Sequence, residues 1–115
     1  VPGFAAPWWR TAAIALMRHA PAPVRIACDP DPAGIRIALA VGATCEAAGL
    51  EWRPWRMRRE DLAALARRKP LGDYDRAELA RLETDPQARR RFAGLLDAMR
   101  SDGEKGEQEG LDFRP

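Results

Sequence analysis

The chain has 115 residues, 46% hydrophobic and 31% charged, with a formal net charge of +2. That is the size and balance of one globular domain with a modest core, and the charge is too small to specify a nucleic-acid partner by itself. One histidine, His19, and two cysteines, Cys28 and Cys45, with no CxxC pair are too few for a four-ligand Cys/His zinc site; both cysteines read as reduced, buried apolar residues. The first residue is Val1 rather than Met, and no secretory leader follows. The longest apolar stretch, 11-TAAIALM-17, is far too short to cross a bilayer. A cytoplasmic location and a piece of a longer protein are the expectations.

In chain order, 1-VPGF-4 reads as a strand end and turn. Pro7 opens a helix over 8–19 that is apolar on most sides, and 20-APAP-23 breaks it. Residues 24–28 read as a short buried strand. Asp31 and Pro32 are an N-cap and first helical residue. Ile35, Ala38, Leu39, Gly42 and Cys45 then recur at helical spacing, which predicts a helix over 32–48 ending at Gly49. Residues 51–57 form a second strand, confined to a sheet edge because Pro54 has no N–H to donate.

The second half is helical. A helix over 59–67 has Glu60 and Asp61 in its first turn, where the dipole favours acids. Residues 69–75 read as a turn and 75–83 as a short helix. Asp85 and Pro86 repeat the cap-plus-proline signal before a stripe of Ala88, Phe92, Leu95, Leu96 and Met99 over 86–100. 101-SDG-103 ends that helix, and the polar tail 104–115 is assigned no element. Strands alternating with helices predict one α/β domain over 1–115: a small parallel sheet flanked by helices, with a helical C-terminal half.

The stretch 24-VRIACDPDPAGIRIALAVG-42 places two like charges, Asp29 and Asp31, at the end of the first strand. Ligand sites in open α/β sheets lie beyond the carboxyl ends of strands. In an extended segment, side chains at i and i+2 share a side, about 6–7 Å apart at the α-carbons. Two carboxylates so placed repel unless a cation lies between them, and a hard divalent ion such as Mg²⁺ or Mn²⁺ suits them. Gly34 lets a backbone or a phosphate approach closely. The plainer reading makes Asp31 only a helix cap and Asp29 a solvated turn residue.

An apolar strand, then DxDxxG, then an amphipathic helix resembles the Toprim domain. The segments 26-IACDPDPAGIRIA-38, 54-PWRM-57 and 106-GEQEG-110 together resemble the C-terminal Toprim region of the JetD family of Wadjet defence proteins, similar in this domain to the A subunit of topoisomerase VI. The resemblance implies Mg²⁺-dependent cleavage of double-stranded DNA within an anti-plasmid defence system. Asp29 and Asp31 would be the catalytic acids that hold the metal, with Glu107 and Glu109 as further metal ligands. It implies other defence-complex subunits, or a second copy of the chain, as partners. The Toprim pattern also has a glutamate at the end of an earlier strand, yet no acid precedes Asp29 here. A domain retaining the fold for DNA or protein interaction, without the chemistry, is therefore the alternative. Haloacid-dehalogenase phosphatases also place DxD after a strand, but this chain lacks their usual Thr or Val after the pair.

Arg53, Arg56, Arg58 and Arg59 form one basic cluster, and Arg67, Arg68 with Lys69 and Arg89, Arg90 with Arg91 form two more. Such clusters supply non-specific phosphate contacts or are solvated helix faces. Arg53 and Arg56, beside the expected sheet edge, are the better candidates for DNA contact near the aspartates. Trp8, Trp9, Trp52 and Trp55 fill a core or interface, or stack on unpaired bases.

Overall fold

The computed structural model describes residues 23–65 and 67–106. The helix predicted over 8–19, Trp8, Trp9, Glu107 and Glu109 lie outside them.

Strand β1 (Val24–Ile26) leads through a loop to helix α1 (Pro32–Ala47), which returns to strand β2 (Trp52–Pro54). β1 and β2 pair in parallel, with Val24 opposite Trp52, Arg25 opposite Arg53 and Ile26 opposite Pro54. Alternation sends Val24, Ile26 and Trp52 into the core and Arg25 and Arg53 outward. Pro54 cannot donate to the ladder, and the next amide, Trp55 N–H, donates to the Ile26 carbonyl instead (2.9 Å). Both strands are shorter than predicted. The chain turns at Trp55 and Arg56, and Arg56 takes a left-handed φ of 56°.

Helix α1 is built as its sequence predicts. Asp31 caps it, Pro32 opens it, and Ile35, Ala38, Gly42 and Cys45 face the core, with Leu39 half-buried. It closes when Gly49 turns left-handed (φ 76°). Leu50 N–H then reaches the Cys45 carbonyl (2.8 Å) and Gly49 N–H the Glu46 carbonyl (2.9 Å). That pattern satisfies the last carbonyls and needs a residue without the Cβ penalty.

Helices α2 (Arg59–Ala64), α3 (Asp73–Glu83) and α4 (Pro86–Asp102) follow. α2 ends earlier than predicted, because Leu65 is already extended (ψ 132°) as it packs inward. α3 begins earlier, at Asp73, because the Asp75 carboxylate folds back onto the Gly72 amide (2.9 Å) and starts the helix there. Asp85 caps α4 by accepting from Gln87 N–H (2.9 Å) and Ala88 N–H (3.4 Å). The predicted stripe is the buried face of α4, although the backbone leaves helical geometry at Phe92 (φ −132°, ψ 23°). Ile26, Ile35, Leu82, Leu96 and Met99 are fully enclosed where the parallel strands, α1, α3 and α4 meet.

The predicted turn over 69–75 contains a strand. β3 (Arg68–Pro70) pairs antiparallel with β4 (Glu104–Gly106), a segment to which the sequence assigned no element. Gly103, left-handed at φ 65°, ends α4 and reverses the chain into β4. The result is a mixed α/β fold: a two-stranded parallel sheet flanked by helices, a helical C-terminal half, and a separate two-stranded antiparallel ribbon.

Candidate functional site

The loop between β1 and α1 holds both predicted aspartates at the carboxyl end of the parallel pair. Asp29 is exposed and Asp31 half-buried, with the Pro30 ring fully enclosed between them. Asp31 N–H donates to the Asp29 carbonyl at 2.8 Å. The segment is therefore a tight three-residue turn centred on Pro30, which corrects the extended geometry expected from the i, i+2 spacing. Proline's fixed φ suits the centre of an inverse γ-turn. The carboxylates still sense each other: Asp29 adds to the forces that raise the proton affinity of Asp31.

Gly34 belongs to this loop for a steric reason. A side chain there would strike the Asp29 carbonyl and lie 2.9 Å from the Asp31 carboxylate. The close approach foreseen at Gly34 is thus made by the loop's own backbone. It also lets Gly34 N–H donate to Asp31 Oδ1 at 2.5 Å, as the N-cap requires.

Burial is the largest influence on Asp31 and raises its pKa. Asp29 and Asp75 push the same way, while the Gly34 amide and Lys105 oppose them. Cys28, buried beside the loop, is pushed up to about 11, chiefly by burial with help from Asp29 and Asp31. It is a thiol, not a thiolate nucleophile. Cys28 and Cys45 are both buried and neither is in a disulfide, as the sequence predicts.

Two further residues meet the loop that sequence reasoning did not connect with it. Strand β4 runs alongside, and Gly106 N–H donates to the Pro30 carbonyl (3.2 Å). Its neighbour Lys105 holds Asp75 of α3 through Nζ (2.9 Å), and both act electrostatically on Asp31. Asp75 is distant in sequence and has no motif around it. Lys105 did carry a signal, as one of only two lysines among nineteen basic residues.

The predicted arginines divide. Arg53 stands outward on β2 beside Arg25, with Glu51 3.4 Å away. Arg56 lies just past the carboxyl end of β2, its guanidinium 4.7 Å from the Trp55 ring centroid. Arg58 holds Asp61, which also accepts the Arg58 amide at the start of α2 (2.9 Å). Arg59 is exposed in the first turn of α2. Arg91 is structural: it lies 4.2 Å from the Trp52 ring centroid and donates to the Trp52 carbonyl (3.1 Å) and to Glu46 (3.2 Å). Trp52 is core and bonds Glu46 through its indole N–H (3.0 Å).

A cleft of about 330 Å³ between α1 and the start of α4 is lined by Leu39, Ala43, Trp52 and Gln87, among others, and by neither loop aspartate. Its charged residues are tied into the fold: Arg36 to the buried Glu78, and Glu46 to Arg91. Among the described residues no group of three His, Cys, Asp or Glu side chains is placed to hold a metal. A hydrated Mg²⁺ binds through one or two carboxylates and keeps several waters, and this loop carries two, one exposed and one half-buried. No helix among the described residues is long and apolar enough to cross a membrane. No protein-family model matches the sequence, and no significant match is found among curated proteins.

Proposed function

We propose that this chain is a Toprim-like domain whose aspartate loop binds Mg²⁺ or Mn²⁺ and serves phosphodiester cleavage of double-stranded DNA in an anti-plasmid defence complex. The observation that carries the reading is the pairing of Asp29 and Asp31 on one proline-centred turn at the carboxyl end of a parallel β-α-β unit. Asp29 is exposed, and Asp31 retains accepting capacity beyond its bond to Gly34. Glu107 and Glu109 enter this reading as further ligands on the resemblance alone. Once bound, the metal supplies charge stabilisation at the phosphoryl oxygens and an activated water. Arg53 and Arg56 would hold the backbone at the same end of the sheet.

The second reading is an interaction domain without chemistry. It is favoured by the absence, among the described residues, of any group of three His, Cys, Asp or Glu side chains placed to hold a metal.

The test is Asp29→Asn. In the wild-type chain, titrated Mn²⁺ should broaden the amides of residues 28–34 more than those of the acidic tail, and circular plasmid should be nicked. In the variant both effects should vanish, while the melting temperature holds or rises slightly as repulsion with Asp31 is relieved. Undiminished nicking by Asp29→Asn, or its unfolding, overturns the cleavage reading. Mn²⁺ broadening without any wild-type nicking selects the interaction domain.

A further inference from the structure

Helix α1 places two opposite charges, Arg36 and Glu46, on the rim of the cleft that it forms with the start of α4. At 1.5 Å per residue they stand about 15 Å apart along the helix. The surface between them is apolar: Leu39 is half-buried, Ala40 and Ala43 are exposed, and the buried Trp52 lies behind. Asp85 and Gln87 form the far wall.

Both charges are anchored, and both keep unused hydrogen-bonding groups. Arg36 donates through Nε to the buried Glu78, and its terminal nitrogens meet no acceptor among the described residues. Glu46 accepts the Trp52 indole N–H and Arg91 on Oε1, which leaves Oε2 for another donor. Each of the two side chains is about half exposed. A charged side chain already held by the fold loses little freedom when it meets a partner.

The charges of the groove cancel. Arg36, Arg81 and Arg91 stand against Glu46, Glu78 and Asp85, in the groove or bonded to its rim. Such a surface draws neither anions nor cations from a distance. It suits an occupant with an apolar strip between two opposite charges at the same spacing, and α1 itself has that form. Turned antiparallel about a two-fold axis at the height of Val41, a copy's α1 sets its Glu46 against Arg36, its Arg36 against Glu46, and its Ala43 against Leu39. Positions 36 and 46 are equidistant from Val41, and so are 39 and 43, so one axis serves every pair. Alanines in the middle let the two helices approach closely.

We infer that this groove is the interface at which two copies of the chain pair, antiparallel along α1. The inference stands apart from the metal and DNA reading. The contact is one helix and its rim, so the dimer is weak, with a dissociation constant between about 10 µM and 1 mM.

The experiment is sedimentation equilibrium of the whole chain across that range, with amide spectra recorded over the same series. The average mass should rise toward two chains and no further, because a two-fold contact closes on itself. Amides of residues 36–47 and 85–87 should shift with concentration more than the rest. Ala43→Arg puts a bulky charge in the middle of the groove and breaks no hydrogen bond or ion pair of the fold. It should stay monomeric throughout and melt like wild type when dilute. Ala77→Arg, at an exposed position of α3, is the control and should pair like wild type. Glu46→Gln keeps an acceptor for the Trp52 indole but loses the charge, and the axis makes that loss count twice. It should weaken pairing about tenfold, most clearly at low salt. A wild-type chain that is still monomeric at about 1 mM overturns the proposal and leaves the groove to a different protein. So does a dimer that Ala43→Arg forms as well as wild type, or one whose concentration-dependent shifts lie away from α1.

Discussion

Arg56 is the only residue other than glycine with a left-handed backbone among those described. An L-residue pays roughly 1–2 kcal/mol for that conformation. Its stacking over Trp55 returns only about 0.5–1 kcal/mol. The position is held by its neighbours: Pro54 ends the ladder and Trp55 N–H is fixed on Ile26. Arg56→Gly removes both the strain and the stacking, so the melting temperature should hold or rise. Arg56→Ala keeps the strain and loses the stacking, so it should melt lower. Both should bind duplex DNA less well. A glycine variant that melts below the alanine variant would show that relief of the left-handed backbone is not what sets stability at this turn.

At the scale of elements, the Asp75–Lys105 pair joins α3 to the β3–β4 ribbon and keeps β4 beside the aspartate loop. Burial pushes the Asp75 carboxyl up, but the Lys105 ammonium and the Gly72 amide outweigh it and hold the group below its ordinary value of 3.8. A carboxyl held low in the folded state contributes stability above its unfolded value and loses it as pH falls through the folded one. Asp75→Ala should therefore cost about 2 kcal/mol near neutral pH, because it also leaves the Gly72 amide and Lys105 without their acceptor. The gap between the two melting temperatures should close as pH falls below about 4. A gap that stays constant from neutral pH to pH 2 would mean that the pair is not what joins these elements.

Across the whole molecule, much of the positive charge is answered by acids. Arg36 and Arg81 both pair with Glu78, Arg89 with Asp97, Arg91 with Glu46 and Arg100 with Glu83. Arg36–Glu78, Arg91–Glu46 and Arg100–Glu83 tie helices to one another, Arg81–Glu78 and Arg89–Asp97 lie within single helices, and together they leave little net field on those faces. On the outward face of β1–β2, Arg25 and Arg53 are register partners, and Arg56 follows past the carboxyl end of β2. The Arg53–Glu51 contact at 3.4 Å is exposed and worth little, so Arg53 keeps its pull on phosphates. Reversing Arg53 and Arg56 to Glu should weaken duplex binding and reduce its salt slope by roughly two, one for each phosphate released. An unchanged slope would move the DNA surface elsewhere on the protein.

What the sequence determined by itself was local. The caps at Asp31 and Asp85, the stop at Gly49, the edge character forced by Pro54 and the buried stripe of α4 each depend on residues within a turn or two of one another. Their physics is complete in a short window. The same window showed Asp29 and Asp31 at a strand end, but not their geometry: the tight turn at Pro30 depends on burying that ring and on the Asp29 carbonyl lying against Gly34. The ribbon was not legible, because three-residue strands carry no periodicity of their own. β3 and β4 exist because each supplies the other's hydrogen bonds across a long sequence separation. Only the tertiary structure could bring Asp75 and Lys105 to the aspartate loop. Charge acts through space, and nothing in the spacing of residues along the chain records which distant charges the fold makes neighbours.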